Sequence, residues 1–143
     1  MDYLKVLVEE IHSVVVATVD ETGHPHTAVM DMMLEVVKTV YFLSADFKPL
    51  YKRLKEDGRV AVTGMTQGAG TMDRKSISLT GQVEWIGKEH LEELLKANPY
   101  MYEIYPTEEG RSHLQVFRFK NSVGNFYDLT QLPPYQARFE IEG

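Results

Sequence analysis

Residues 13–20 read SVVVATVD. Side chains branched at Cβ crowd a helix and suit a pleated strand, so this run predicts a strand buried on both faces. The turn Glu21-Thr22-Gly23 follows, and after Pro25 a second extended run covers residues 26–34. So short a turn joins only antiparallel neighbours, because a parallel return needs a crossover of a dozen residues or more. The theme recurs at residues 40–44 (VYFLS), at 59–65, and at 76–85, where Ile77, Leu79, Gly81, Val83 and Trp85 alternate with polar residues. Two further strands are expected near 113–120 and 124–128.

Helices interrupt this pattern. Leu4, Leu7, Val8 and Ile11 make an amphipathic face over residues 3–11, with Asp2 placed to cap it. Pro49 suits the first turn of a second helix, with Phe47, Leu50 and Leu54 on one side and an end near Asp57-Gly58. Leu91, Leu94 and Leu95 mark a third over residues 88–97, stopped by Asn98-Pro99. The order is helix, three strands, helix, two strands, helix, two strands. Antiparallel strands whose edges must be hidden predict a closed or split barrel with flanking helices. The 143 residues make a single domain. Trp85 ends an apolar strand face and is expected to be buried.

Composition removes several kinds of chemistry. The net charge is −6, and such a surface repels phosphate backbones, which argues against nucleic-acid partners. Cysteine is absent, which excludes disulfides, thiolate nucleophiles and cysteine-ligated metals together. No apolar run approaches the roughly 18 residues of a membrane span. The start, Met1-Asp2-Tyr3-Leu4-Lys5, has no basic region before an apolar stretch. A soluble, cytoplasmic protein with no membrane partner is expected.

Few side chains stand in a catalytic pattern. There is no G-x-S-x-G nucleophile elbow. His24 and His26 share a strand face with Asp31 nearby, but His12, His90 and His113 lie in unrelated segments. A turn histidine beside a strand-start histidine is the simpler reading, and no metal is expected. Met30, Met32 and Met33 suit either a flat cofactor or, more commonly, a core. Gly64, Gly68 and Gly70 lack the Lys-Ser/Thr ending of a phosphate-binding loop and mark a flexible connection. Ser44 closes a strand and Lys48 opens a helix. Lys48, Lys52 and Lys55 recur at i, i+4 and i+7, a basic stripe in an acidic chain. A helix N-terminus with lysines suits a phosphate, although the same spacing also describes an ordinary solvated face.

The stretches VVVATVDETGHPHTAVM, VYFLSADFKPLYKRLKEDGRVAV and SISLTGQVEWI, and the ending GNFYDL, together resemble the pyridoxamine 5'-phosphate oxidase-like family of FMN-binding split barrels, as a small bacterial member. The resemblance spans roughly residues 1–130. It implies a mainly β fold, a six-stranded antiparallel Greek-key split β-barrel with flanking α-helices. It also implies a homodimer with FMN at the interface. By position, His26, Thr27, Ala28 and Val29 would lie along the isoalloxazine. Phe42, Leu43 and Ser44 would supply backbone and hydroxyl contacts. Lys48 would meet the phosphate, with Lys52 beside it, and residues 65–67 of the second copy would close the site. The resemblance implies an FMN-dependent oxidoreductase acting on a small molecule or NAD(P)H. A non-catalytic flavin-binding or stress-response module stands as an alternative, as does a relative using F420 or haem on the same barrel.

Two departures argue against vitamin B6 oxidation. Ala28 stands where oxidases of the family carry a phosphate-binding arginine, with His26 the only basic residue near. The chain also ends in an acidic tail, Phe139-Glu140-Ile141-Glu142-Gly143, rather than an arginine-bearing one. Arg111-Ser112-His113 resembles the substrate-phosphate pair of those enzymes and is the feature pointing the other way.

Overall fold

The computed structural model describes residues 1–143. Asp2 caps the first helix, its Oδ1 accepting from the amides of Leu4 and Lys5 at 3.1 and 3.2 Å. That helix begins as α1 (Tyr3–Lys5) and continues as a π-helical turn, Val6–Ile11. It stops at His12, whose φ of 62° cannot propagate a right-handed helix. Leu4, Val6, Leu7 and Ile11 are buried, so this helix plugs one end of the sheet.

The strands are β1 (Ser13–Val19), β2 (Pro25–Asp31), β3 (Leu34–Val36), β4 (Thr39–Ala45), β5 (Arg59–Met65), β6 (Lys75–Trp85), β7 (Leu114–Asp128) and β8 (Tyr135–Ile141). Between them lie α2 (Pro49–Glu56), α3 (Leu91–Ala97), α4 (Met101–Ile104) and α5 (Glu108–Arg111). All pairings are antiparallel, in the order β2-β1-β5-β6-β7-β4-β3, with β8 added beside β7. The connection through α2 carries the chain from β4 across to β5, which lies beside β1. The strands β2, β1, β5, β6, β7 and β4 therefore curl into an open barrel whose split runs between β2 and β4, which share no hydrogen-bonded ladder.

Several expectations change. The second strand ends at Asp31, and residues 34–36 turn back as the short hairpin strand β3. The two strands expected near 113–120 and 124–128 are one strand, β7. Its first part pairs with β4, its last part with β8, and Asn121, at φ 46°, bends it between the two. The acidic tail is not free: β8 pairs residue for residue with β7 from Ser122↔Ile141 to Asp128↔Tyr135. It packs tightly, because Gly124 leaves the room that the Phe139 ring fills; a Cβ there would stand 2.2 Å from that ring.

Trp85 is not buried but 43% exposed. It ends β6 past the register shift between Thr80 and Gln82, still paired with Phe117 of β7, on the side where α2 places Tyr51 and Lys55. There Nε1 donates to Gln115 at 2.9 Å and Lys55 Nζ sits 4.4 Å above the ring.

Two cores result. Phe42, Phe117, Phe119 and Phe126 fill the barrel with Met30 and Met32, while Met33, Tyr41, Leu43 and Leu114 pack under α3 and α4. The three methionines are core residues. No helix is long and apolar enough to cross a membrane.

Candidate functional site

The split between β2 and β4 opens into a hollow of about 290 Å³. The end of β2 brings Val29, Met30 and Asp31 to it, and the end of β4 brings Leu43, Ser44 and Ala45. Lys48 enters from the start of α2, and Met101 and Tyr105 close it from the α4 side. Ser44 is only 4% exposed, and its hydroxyl has no partner better than the neighbouring Ala45 carbonyl at 3.5 Å. Lys48 is exposed and makes no ion pair within 4.0 Å. Lys48 also stands at the N-cap of α2, which has no side-chain cap and begins with Pro49. The start of α2, an ammonium without an ion pair and a hydroxyl whose one partner is 3.5 Å away therefore border one space; Pro49 has no N–H and the Tyr51 amide donates to the Lys48 carbonyl at 3.1 Å, which leaves the Leu50 amide as the unpaired donor of the first turn.

A larger hollow of about 710 Å³ lies along β1, β5 and the loop after it, and Met65, Thr66 and Gln67 help to line it. Val29 borders both hollows. It is 74% exposed, and its register partner Val15, 40% exposed, continues the same outward face towards Thr63.

The remaining expected residues fall elsewhere. His26 and Lys52 line a third recess rich in carboxylates, with Asp20, Glu21, Glu56 and Asp57. His26 Nε2 contacts Asp20 Oδ2 at 2.8 Å, and Lys52 lies 3.8 Å from Glu21. Hydrogen bonds from His26, Thr22 and the His24 amide hold the Asp20 carboxyl well below the usual carboxylate range. Lys48 and Lys52 thus do not share a space. Phe42 is wholly buried against Phe117, so only its backbone faces the strand edge. Thr27 is exposed on the Val29 face of β2, while Ala28 packs against the barrel core.

One cluster was not legible in the sequence. Asp31 accepts from Ser13 Oγ at 2.7 Å and from the Tyr100 hydroxyl at 2.8 Å, and His12 Nε2 lies 2.7 Å from that hydroxyl. Burial, then the hydrogen bond to Asp31, push the Tyr100 phenol above its ordinary range. The cluster bridges the two hollows, since Ser13 lines the larger and Asp31 the smaller. Its members come from the end of the first helix, two strands and the turn before α4. No local spacing announces it.

Comparison with known proteins follows the same lines. The family model for pyridoxamine 5'-phosphate oxidase matches residues 2–127. No curated protein matches the sequence. Among solved structures, a NimC/NimA family protein from Clostridium acetobutylicum superposes with a TM-score of 0.74 at 20% identity, covering 97% of this chain and 93% of that one. A heme-binding protein from Mycobacterium smegmatis gives 0.73 at 13% identity, over 97% of this chain and 57% of that one. A pyridoxamine 5'-phosphate oxidase-related, FMN-binding protein from Nostoc punctiforme gives 0.61 at 11% identity, over 92% and 88%. At such identities the likeness is one of fold.

Proposed function

The chain belongs to the pyridoxamine 5'-phosphate oxidase family, and from that premise we propose a cytoplasmic, homodimeric flavoprotein that holds FMN at the split between β2 and β4. The observation that carries this reading is the convergence of Val29, Leu43, Ser44 and Lys48 on one hollow at the uncapped start of α2. Lys48 and the helix start hold the phosphate, and the Ser44 hydroxyl adds a donor. Thr27 and Val29 give a ring system a flat strand edge to lie along. FMN, when bound, supplies the hydride and single-electron chemistry that the side chains lack. The apolar residues Val15, Val29 and Met65, exposed on the outward face, offer a surface for the second copy.

The substrate is a small molecule or NAD(P)H rather than a B6 phosphate. Arg111 is already used, donating to the Tyr105 carbonyl at 2.8 Å with its guanidinium 5.0 Å over Tyr102. His113 contacts Asp46 at 2.8 Å. Neither waits with a free face for a substrate phosphate, and Ala28 adds no charge. The acidic residues at the end of the chain form no free tail that would repel a phosphate, because they lie in strand β8 and Glu140 pairs with Arg138.

Anaerobic reduction tests the activity. NADH or NADPH should bleach the flavin band near neutral pH, and pyridoxine phosphate should not. Bleaching by pyridoxine phosphate that Arg111→Ala abolishes would restore the oxidase reading. A flavin that no donor reduces would point to the non-catalytic binding module. The solved heme-binding relative of the same fold motivates a second reading, haem in the same split. A Soret band in place of the flavin bands would favour it.

A further inference from the structure

Given a flavin-dependent reduction in the split, we propose that His12, Tyr100 and Asp31 form a proton path from solvent into the hollow between β2 and β4, with Asp31 as the group that hands the proton over. Asp31 is the only carboxyl lining that hollow, and its side chain is 27% exposed. His12, at the other end, is 30% exposed and lines neither hollow. Tyr100 stands half-buried between them, its hydroxyl 2.7 Å from His12 Nε2 and 2.8 Å from Asp31 Oδ2. Ser13 Oγ donates to Asp31 Oδ1 at 2.7 Å and fixes the orientation of the carboxylate.

The contacts of this chain need one proton more than a neutral imidazole, a phenol and a carboxylate supply. Nδ1 of His12 lies 3.2 Å from the Val8 carbonyl, which can only accept, so Nδ1 carries a proton. The phenol has a single proton for its two contacts. The further proton sits either on His12 Nε2, with Tyr100 donating to Asp31, or on Asp31, with Tyr100 donating to His12. One arrangement becomes the other when two protons each move one step along the chain. Burial, then the bond to Asp31, push the phenol above its ordinary range, so Tyr100 passes protons as a neutral hydroxyl.

The surroundings leave the path undisturbed. Asp31 is the one carboxylate within 4.0 Å of His12, at 3.5 Å. On the helix that carries His12, Glu10 pairs with Lys75 of β6 at 3.8 Å, while Lys5 and Glu9 line a separate recess with Glu35. β5 meets this end of the helix with Gly64, which has no ionisable group. The split has a use for a proton. An acceptor that gains a hydride, here from NAD(P)H, is left one proton short; a quinone so reduced is a hydroquinone monoanion until a general acid protonates it. Asp31 gives that proton and regains one through Tyr100, and His12 takes the replacement from solvent.

The test has two arms, each on a variant first checked for an unchanged melting temperature. In flavin-free protein, the ring nitrogens of His12 are followed against pH by long-range 1H–15N NMR. Asp31→Asn removes the charge at the far end of the path, so Nε2 should lose its proton at a pH lower by about one unit or more. An unmoved His12 would overturn the proposal whether or not flavin binds. In protein loaded with FMN, menadione is the acceptor and NADH the donor. Tyr100→Phe keeps both end groups and removes the link, so menadione reduction should fall at least about tenfold while FMN affinity stays unchanged. The rate should also decline as rising pH strips His12, and His12→Gln should be slow and lose that dependence. An undiminished rate in Tyr100→Phe would overturn the path. A protein that takes up no FMN would contradict the flavin reading instead, and the NMR arm would still decide whether His12 and Asp31 share a proton. The arms use different variants, so one that fails to fold leaves the other to decide.

Discussion

Lys48 and Trp85 show how differently single residues read in sequence and in space. The place of Lys48 was legible because it is local: a lysine one position before a helix-starting proline meets the helix N-terminus wherever the rest of the chain goes. Ser44 shares that locality at the end of its strand. Lys52 shares the helix face but not the space, because β1 and its turn bring Glu21 and Asp20 beside it. Trp85 misleads because alternation assigns a face and not a depth. At the end of β6 the barrel no longer covers it, and Lys55 and Tyr51 of α2 pack on the ring instead. Trp85→Ala should therefore cost about 1–3 kcal/mol, the sum of a cation–π contact, the bond to Gln115 and partial burial, rather than the roughly 3–5 kcal/mol of a buried tryptophan. Urea unfolding measures it, and a loss in the larger range would place the ring in the core after all.

At the scale of elements, β8 is the clearest omission. Tyr135, Ala137, Phe139 and Ile141 do alternate, but Pro133-Pro134 and the terminal glutamates look like a tail when no partner strand is in view. The partner was hidden as well, since residues 121–123 were expected to separate two strands. Asn121 only bends β7, and Gly124 makes room for Phe139. The helices α4 and α5 span four residues each, too short for any periodicity to register. Asp128 fixes the turn that leads to β8: its carboxylate accepts from the Thr130 amide at 2.9 Å, from the Thr130 hydroxyl at 2.5 Å and from Gln131 at 3.2 Å. These bonds, that from the Thr130 hydroxyl foremost, hold its carboxyl below the ordinary range, and Lys75 adds to them. A carboxyl lowered by folding contributes stability in full above its unfolded value of about 3.9 and loses it as pH falls through the lower folded value. Amides of β8 should thus lose hydrogen-exchange protection on acidification below about pH 4. In Asp128→Asn that pH-dependent loss should be smaller, on a strand already weaker at pH 7. An identical acid profile in the variant would assign the loss to other carboxylates.

For the molecule as a whole, the split barrel followed from short turns between β-branched runs and from the quoted segments. The cluster of His12, Ser13, Asp31 and Tyr100 did not, because it exists only once the first helix, β1, β2 and the α3–α4 turn are assembled. The same assembly opens the gap between β2 and β4 and gathers Lys48 and the start of α2 around it. The claim that depends on this whole arrangement is that the split holds FMN by its phosphate. Titration of flavin-free protein with FMN and with riboflavin, read by quenching of flavin fluorescence, tests it most directly. FMN should bind roughly 10- to 100-fold more tightly than riboflavin, and Lys48→Ala should erase most of that difference while leaving riboflavin unchanged. Equal affinity for the two flavins, or an equal loss for both in Lys48→Ala, would contradict it.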